Sequence, residues 1–251
     1  MKVVVAGKGG CGKSTVSTLL AKALARKGSK VLVVDTDESN FELHTHLGLE
    51  QPEDFMNHFG GKKVLFEKVK TLQKGWGIDE LPAAYLAEKG NIRLLAMGKI
   101  HNFGEGCACP INALSSRFLE ILDLEQDEVL IADTDAGIEH LGRGIEQGCD
   151  LILVVVEPSR ESIGLAKRIS KMAAAIDKPV YYVLNKLKGK AKDVLLGALD
   201  SNKVIAAIPQ SEELFHCALQ GKELDLEVEG IEELADVLGK LRSQPNAPLD
   251  L

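Results

Sequence analysis

A glycine-rich octapeptide near the N-terminus has the residue types and spacing of a phosphate-binding loop. Residues 7–14, Gly-Lys-Gly-Gly-Cys-Gly-Lys-Ser, match the pattern G-x-x-x-x-G-K-[ST] in full. Backbone N–H groups in such a loop turn toward an anion, and the following helix N-terminus adds partial positive charge. We expect Lys13 to bridge the β- and γ-phosphates, Ser14 to coordinate Mg²⁺ and Thr15 to reach the α-phosphate. The loop residues predicted to bind a nucleotide are Gly9, Gly10, Cys11, Gly12, Lys13, Ser14 and Thr15.

Two cysteines one residue apart form a second candidate site. Cys107 and Cys109 belong to Gly-Glu-Gly-Cys-Ala-Cys-Pro at residues 104–110, just before a predicted helix. We expect the helix N-terminus to lower the pKa of both thiols, and two thiolates can bind one metal ion. They fill only half of a tetrahedral site, and two buried free thiols are the alternative. His101 is six residues upstream of Cys107, but a surface or hydrogen-bonded role is favoured for it. The sequence therefore predicts a metal-binding loop at about residues 104–110.

Acidic and amide side chains follow other apolar runs. Asp35 and Asp37, Asp133, and Asn185 all lie at or just after the end of such a run. Ligands of open α/β sheets bind at the carboxyl ends of the strands, so these residues are candidates for one site. Alternatively, Asp37 and Asp133 cap helices, and Asp35 either serves a Mg²⁺ shell indirectly or caps the turn. Residue 188 is Lys, not the Asp that a guanine-specific N-K-x-D motif needs, which favours ATP over GTP.

These candidates need a sheet to position them, and the sequence alternates short apolar runs with segments of helical periodicity. Fully apolar strands indicate a sheet covered on both faces, because an alternating pattern would leave one face to water. We therefore predict an α/β fold with a single doubly wound, mostly parallel sheet flanked by helices, forming one domain over residues 1–251. Residues 50–90 are expected to be a largely helical, peripheral insertion. The predicted strands are 3–6, 31–34, 92–97, 129–132, 151–156, 180–184 and 204–208, and the predicted helices are 14–26, 112–123, 137–147, 161–175, 190–200, 211–219 and 231–241.

Composition excludes several classes of protein. The 251 residues are 45% hydrophobic and 27% charged, with a net charge of −7, which is an ordinary globular balance. The longest apolar run, residues 151–156, is far shorter than the roughly 18 residues of a membrane span. Residues 209–251 contain ten acids and three bases, which argues against a basic tail for nucleic acid or membrane. With no secretory signal pattern and five unevenly spaced cysteines, we expect a cytoplasmic protein without a disulfide framework.

A second lysine in the loop, in Lys8-Gly9-Gly10, resembles the deviant phosphate loop of the MinD/ParA/nitrogenase-iron-protein family of ATPases. This resemblance implies a homodimer in which Lys8 reaches the partner's phosphates. It also implies that Asp37 is the first-switch aspartate, which orients the attacking water, and that Asp133 in D-x-x-A-G holds Mg²⁺ through water. Asn185 resembles the residue that contacts adenine, and Pro209 lies in a segment that resembles the one whose backbone closes over the base. The catalytic residues implied are Lys8, Lys13 and Asp37.

Residues 105–113 and 133–144 narrow the resemblance to CooC-type ATPases, which are accessory proteins for nickel insertion into carbon monoxide dehydrogenase. The resemblance implies a Mg²⁺-dependent ATPase using ATP and ADP, with Cys107 and Cys109 of both subunits sharing one Zn²⁺ or Ni²⁺. Its client would be nickel-containing carbon monoxide dehydrogenase, with neither nucleic acid nor membrane as a partner. The sequence departs from many relatives at Asp135, where they have Pro.

Two other functions stay open from the sequence. One is an electron-donating ATPase with a bridging iron–sulfur cluster, like the nitrogenase iron protein, although its cluster ligands are far apart in sequence. The other is a MinD/ParA-like positioning ATPase, against which the acidic C-terminal end argues.

Overall fold

The computed structural model describes residues 1–73, 75–102, 107–138 and 141–243, and their strands form one eight-stranded sheet. The strands are β1 (Lys2–Gly7), β2 (Lys30–Asp35), β3 (Leu86–Lys89), β4 (Ile92–Ala96), β5 (Glu128–Asp133), β6 (Leu151–Val156), β7 (Val180–Leu187) and β8 (Val204–Pro209). The α-helices are α1 (Lys13–Arg26), α2 (Leu43–Leu47), α3 (Leu65–Thr71), α4 (Cys109–Ile121), α5 (Arg160–Ala174), α6 (Ala191–Ala198), α7 (Glu212–Leu219) and α8 (Glu229–Ser243).

The strand order in the sheet is β3-β4-β2-β5-β1-β6-β7-β8, and every neighbouring pair is parallel except β3 with β4. Successive side chains of a strand point to opposite faces. In β1, Val3 and Val5 pack on the face that carries α1 and α8, whereas Val4 and Ala6 pack on the face that carries α4 and α5. Helices therefore cover both faces, which confirms the predicted doubly wound, mostly parallel fold.

One predicted helix was wrong, and one strand of the structure was not predicted. A helix was predicted over residues 137–147, but the described part of that segment contains only the short 3-10 turns Leu141–Arg143 and Ile145–Gly148. Gly137 and Gly144 have φ angles of 101° and 94°, which no α-helix contains, so the apolar spacing there does not produce a helix. The antiparallel edge strand β3 was also not predicted, because it has only four residues and half of them are exposed.

The segment from residue 50 to 90 contains α3 and several 3-10 turns, in addition to β3. It also contributes to the core: Phe55 is fully buried and its ring lies 5.6 Å from that of Phe118 in α4. The segment is therefore not purely peripheral, and its turns pack against the helix that begins at the cysteine pair. Within the described residues, none of the helices combines the length and apolarity that a membrane crossing requires.

Candidate functional site

The phosphate loop connects β1 to α1, as its motif requires. Gly10 and Gly12 have φ angles of 75° and 97°, a left-handed conformation that favours glycine. Gly12 is the residue before the first turn of α1, and its carbonyl accepts the Val16 N–H at 2.9 Å. The Lys13 side chain is only 7% exposed, and its Nζ lies 3.4 Å from the Lys8 carbonyl oxygen. The sequence thus places a nearly buried ammonium group inside the turn of the loop.

A cavity of about 580 Å³ opens in front of this loop. Its far wall comes from α7, where Leu214, Phe215 and Ala218 provide apolar surface suited to a nucleotide base. These three residues could not be predicted from the sequence, because they belong to no motif and lie about 200 residues from the loop. The predicted site residues that line the cavity are Gly9, Gly10, Gly12, Lys13, Ser14, Thr15, Asp37, Asn185 and Pro209.

Asn185 lines the cavity and also contacts the phosphate loop. It lies in the last part of β7, where the pairing with β8 is irregular, and it is 7% exposed. Its side-chain Nδ2 donates to the Cys11 carbonyl at 2.8 Å. A Cβ atom at Gly12 would lie 2.4 Å from the same nitrogen, so only glycine permits this close approach. The Cys11 thiol points away from the cavity into the core, where burial raises its pKa to about 11, so only its backbone belongs to the site.

Asp133 ends β5 beneath the loop and is fully buried. Its Oδ1 accepts the Ser17 hydroxyl at 2.9 Å, whereas its Oδ2 is buried without a hydrogen-bond partner among the described residues. Burial raises the pKa of this carboxyl, and the hydroxyls of Ser14 and Ser17 and the charge of Lys13 oppose that rise. The Asp133 carboxyl group thus lies next to the phosphate loop with one oxygen unsatisfied among the described residues.

The loop after β2, residues 36–41, is the predicted first switch and carries Asp37. The Asp37 Oδ1 accepts the N–H and the hydroxyl of Ser39 at 2.9 and 2.6 Å. Asp35 accepts the Asp37 N–H at 3.2 Å, so it caps the turn, which was one of the two roles expected from its position. Asn40 reaches back to the phosphate loop, because its Nδ2 donates to the Ser14 Oγ at 3.0 Å.

The Lys8 side chain is partly exposed and is paired with two carboxylates. Its Nζ lies 3.0 Å from Glu157 Oε1, at the end of β6, and 3.6 Å from Glu161 Oε2 in the first turn of α5. Lys186 Nζ lies 3.7 Å from the other oxygen of Glu157. Although burial acts in the opposite direction, these two lysines lower the pKa of the Glu157 carboxyl. Lys8 is therefore paired within its own subunit in this structure.

Cys107 is exposed and Cys109 is half-buried at the start of α4. The Cys109 N–H donates to the Cys107 Sγ at 3.3 Å, and residues 104–106 of the predicted metal-binding loop lie outside the described residues. No group of three or more His, Cys, Asp or Glu side chains among the described residues is arranged to hold a metal ion. His101 bonds Asp54 at 2.9 Å, which confirms the hydrogen-bonded role favoured for it.

Comparisons with known proteins agree with this geometry. The model of the CobQ/CobB/MinD/ParA nucleotide-binding domain matches residues 2–224. An uncharacterised ATP-binding protein of Methanocaldococcus jannaschii is 47% identical, over 96% of this chain and 100% of the relative. The carbon monoxide dehydrogenase accessory protein CooC of Rhodospirillum rubrum is 30% identical, over 83% of each chain. The septum site-determining protein MinD of Pyrococcus horikoshii, solved with Mg-ADP, has a TM-score of 0.67 at 17% identity and covers 99% of this chain and 98% of its own. The chain belongs to the CobQ/CobB/MinD/ParA family of nucleotide-binding domains.

Proposed function

We propose that the protein is a homodimeric, Mg²⁺-dependent ATPase that holds Zn²⁺ or Ni²⁺ between its subunits and assists nickel insertion into carbon monoxide dehydrogenase. Nucleotide binding and hydrolysis are supported by one observation: Lys13, Ser14, Asp37 and Asn185 line the same cavity. The 30% identity with the accessory protein of R. rubrum supports the maturation part.

The residues beside the phosphate loop fit a magnesium ion. The unpaired Oδ2 of Asp133 is buried, and an unsatisfied buried polar atom costs about 1–3 kcal/mol or more unless a ligand pairs with it. Mg²⁺ prefers oxygen ligands and retains several waters. We expect Ser14 to bind the ion directly and Asp133 to hold it through a water. When bound, the ion neutralises charge on the β- and γ-phosphates.

The orientation of Asn185 supports adenine over guanine. One N–H of its Nδ2 donates to the Cys11 carbonyl, and its Oδ1 is available to accept a hydrogen bond from a base. That oxygen is an acceptor, and it pairs with the exocyclic amine of adenine but repels the carbonyl that guanine carries at the same ring position. Pro209 and the apolar side chains of α7 supply the surface on which the base would lie. We expect ATP to be turned over in preference to GTP.

Asp37 is the residue proposed to orient the attacking water. Both of its hydrogen bonds to Ser39 go to Oδ1, and Oδ2 accepts none within the described part of the chain. We expect Asp37→Ala to keep ATP binding but to lower the turnover rate by roughly 100-fold, because the water loses its acceptor. Single-turnover hydrolysis and calorimetry with ATP measure the two effects separately. Asp193→Ala, an exposed aspartate of α6, is the control, and wild-type turnover by the Asp37 variant would remove Asp37 from this role.

Lys8 is proposed to act on the phosphates of the partner subunit. We expect Lys8→Gln to bind ATP normally as a monomer and to slow hydrolysis by about 100-fold, because transition-state charge is left unneutralised. The matched control is Glu157→Gln, which removes the nearer of the two carboxylates paired with Lys8, at 3.0 Å, without removing the ammonium. Turnover measured against protein concentration checks both variants. Equal rates for Lys8→Gln and the wild type would make Lys8 a loop residue only.

The metal part of the proposal depends on Cys107 and Cys109. The N–H of Cys109 already donates to the Cys107 sulfur, a contact that stabilises a thiolate. Exposure of Cys107 lets it meet a second subunit, and a two-fold axis at this loop would bring four thiolates together. The ion is cargo here: it would be released to the client enzyme when nucleotide turnover changes the subunit interface.

One set of measurements tests the proposal against the two other functions. Purified protein should hydrolyse ATP in the presence of Mg²⁺ and should be colourless or carry the absorption of nickel thiolate. A brown protein with broad visible absorption would favour an electron-donating iron–sulfur ATPase. ATP-dependent binding to liposomes or DNA would instead favour a positioning ATPase.

A further inference from the structure

Lys99 is a fully buried lysine that no motif identifies. It lies three residues beyond β4, and its side chain is 0% exposed. A buried ammonium group is costly unless all of its protons are paired, because burial removes its hydration. Its position therefore needs an explanation in terms of the groups it contacts.

All three donors of the ammonium group are used, and two of them go to one loop. The Nζ lies 2.6 Å from Asp35 Oδ2 and 2.6 Å from the Asp37 carbonyl oxygen, and it also donates to the carbonyl of Asn40. Asp35 belongs to β2, whereas the two carbonyls belong to the loop of residues 36–41. An ion pair with Asp35 alone would leave two protons unpaired, so the loop is an integral partner of the buried charge.

Asp37 and Asn40, whose carbonyls Lys99 contacts, are also the residues of this loop whose side chains face the nucleotide site. The Asp37 side chain lines the cavity, and the Asn40 Nδ2 donates to Ser14 Oγ at 3.0 Å. Lys99 thus holds the main-chain carbonyls of Asp37 and Asn40, while the side chain of Asp37 faces the cavity and that of Asn40 faces the phosphate loop. The attachment continues at the next residue, because the Ile100 N–H donates to the Glu38 carbonyl at 3.1 Å.

We propose that Lys99 is the positioning residue of the loop of residues 36–41, which it fixes so that Asp37 and Asn40 face Mg-ATP. The effect on turnover rests on the ATPase activity proposed above, whereas the effect on the loop does not. Lys99 does not line the cavity in front of the phosphate loop, and it acts through the main chain of the two residues.

The test compares variants that separate the loop contacts from the ion pair. The double variant Lys99→Met/Asp35→Asn removes both charges, so no unpaired carboxylate stays buried. Asp35→Asn alone keeps Lys99 and its two carbonyl contacts. Lys22→Met is the matched control, since Lys22 is another nearly buried lysine, 7% exposed, paired with Glu223 away from the loop. Lys99→Gln/Asp35→Asn, which keeps an amide donor, is used if the methionine variant does not fold.

Hydrogen exchange of the amides of residues 36–42 is the first readout. We expect it to quicken at least tenfold in the double variant, less than threefold in Asp35→Asn, and not at all in Lys22→Met. If exchange in the double variant equals that in Asp35→Asn, Lys99 does not position the loop, and the proposal is overturned. Because this readout needs no hydrolysis, a wild-type protein without ATPase activity would refute the proposed function and still decide the role of Lys99.

Turnover is the second readout. We expect kcat of the double variant to fall at least tenfold and its Mg²⁺ requirement to rise, while the affinity for ADP without Mg²⁺ changes less than threefold. The two effects should differ because ADP affinity depends on the phosphate loop. By contrast, turnover depends on Asp37, and Mg²⁺ binding depends on Ser14, which Asn40 contacts. A parallel loss of ADP affinity would point to general damage and would contradict a positioning role.

Discussion

We expect Lys13→Ala to lower the affinity for ATP by at least about 100-fold, which corresponds to roughly 2.7 kcal/mol. Lys13 is 7% exposed and lines the cavity in front of the phosphate loop. A charged donor facing phosphates in such a poorly hydrated site makes stronger hydrogen bonds than it would in water. Its removal leaves the negative charge of the β- and γ-phosphates to the backbone amides alone.

Titration calorimetry with a non-hydrolysable ATP analogue measures this loss. Lys27→Ala is the matched control, because Lys27 follows the far end of the same helix and its partner is Asp236. That variant should bind the analogue as the wild type does. Retained affinity in Lys13→Ala would show that residues 7–14 do not bind the β- and γ-phosphates.

The second large effect concerns the metal. If Cys107 and Cys109 of two subunits form one four-thiolate site, the protein should bind one Zn²⁺ or Ni²⁺ per dimer. Cys107→Ser or Cys109→Ser would remove two of the four ligands, because the two-fold symmetry repeats each loss. Metal affinity should therefore fall by several orders of magnitude, while ATP binding by the monomer survives. Metal analysis combined with light scattering, with and without ATP, measures both quantities.

Cys217→Ser is the matched control, since Cys217 is a cysteine of intermediate exposure that lies in α7, far from the pair in sequence. It should leave the metal content unchanged. One tightly bound metal per monomer, or a double-cysteine variant that still dimerises around Zn²⁺ or Ni²⁺, would contradict a shared site. Cells with Cys107→Ala or Cys109→Ala should make nickel-deficient client enzyme at low external nickel, and normal client activity there would limit the cysteines to a structural role.

The sequence predicted those features that are encoded by neighbouring residues. The phosphate loop is specified by eight consecutive positions, and the seven apolar strand patterns are strong because both faces of the sheet are covered. By contrast, the prediction of a helix over residues 137–147 was wrong. Gly137 and Gly144 adopt left-handed backbone angles, which the spacing of apolar residues cannot predict. Strand β3 has no pattern of its own and forms by pairing with β4.

The unpredicted parts of the site depend on contacts between distant positions. Glu157 is 149 residues from Lys8, and Lys99 is 64 residues from Asp35. Nothing in the local sequence of Lys99 distinguishes it from a solvated lysine; only the folded chain places it beneath the loop of residues 36–41. Likewise, Phe215 faces the nucleotide cavity because α7 follows β8, which no motif near the phosphate loop indicates.

The contact of Asn185 with Cys11 and Gly12 has a consequence for changing the nucleotide preference of this protein. The side chain proposed to discriminate between bases also anchors the turn that receives the phosphates, with 2.8 Å between its nitrogen and the Cys11 oxygen. A substitution at position 185 made to accept guanine would release that anchor, so selectivity and phosphate affinity would change together. Any larger residue at Gly12 would meet the same nitrogen. A change of base preference would therefore have to begin on the opposite wall of the cavity, at Phe215 or Ala218. Among the described contacts, neither of these residues anchors the phosphate loop.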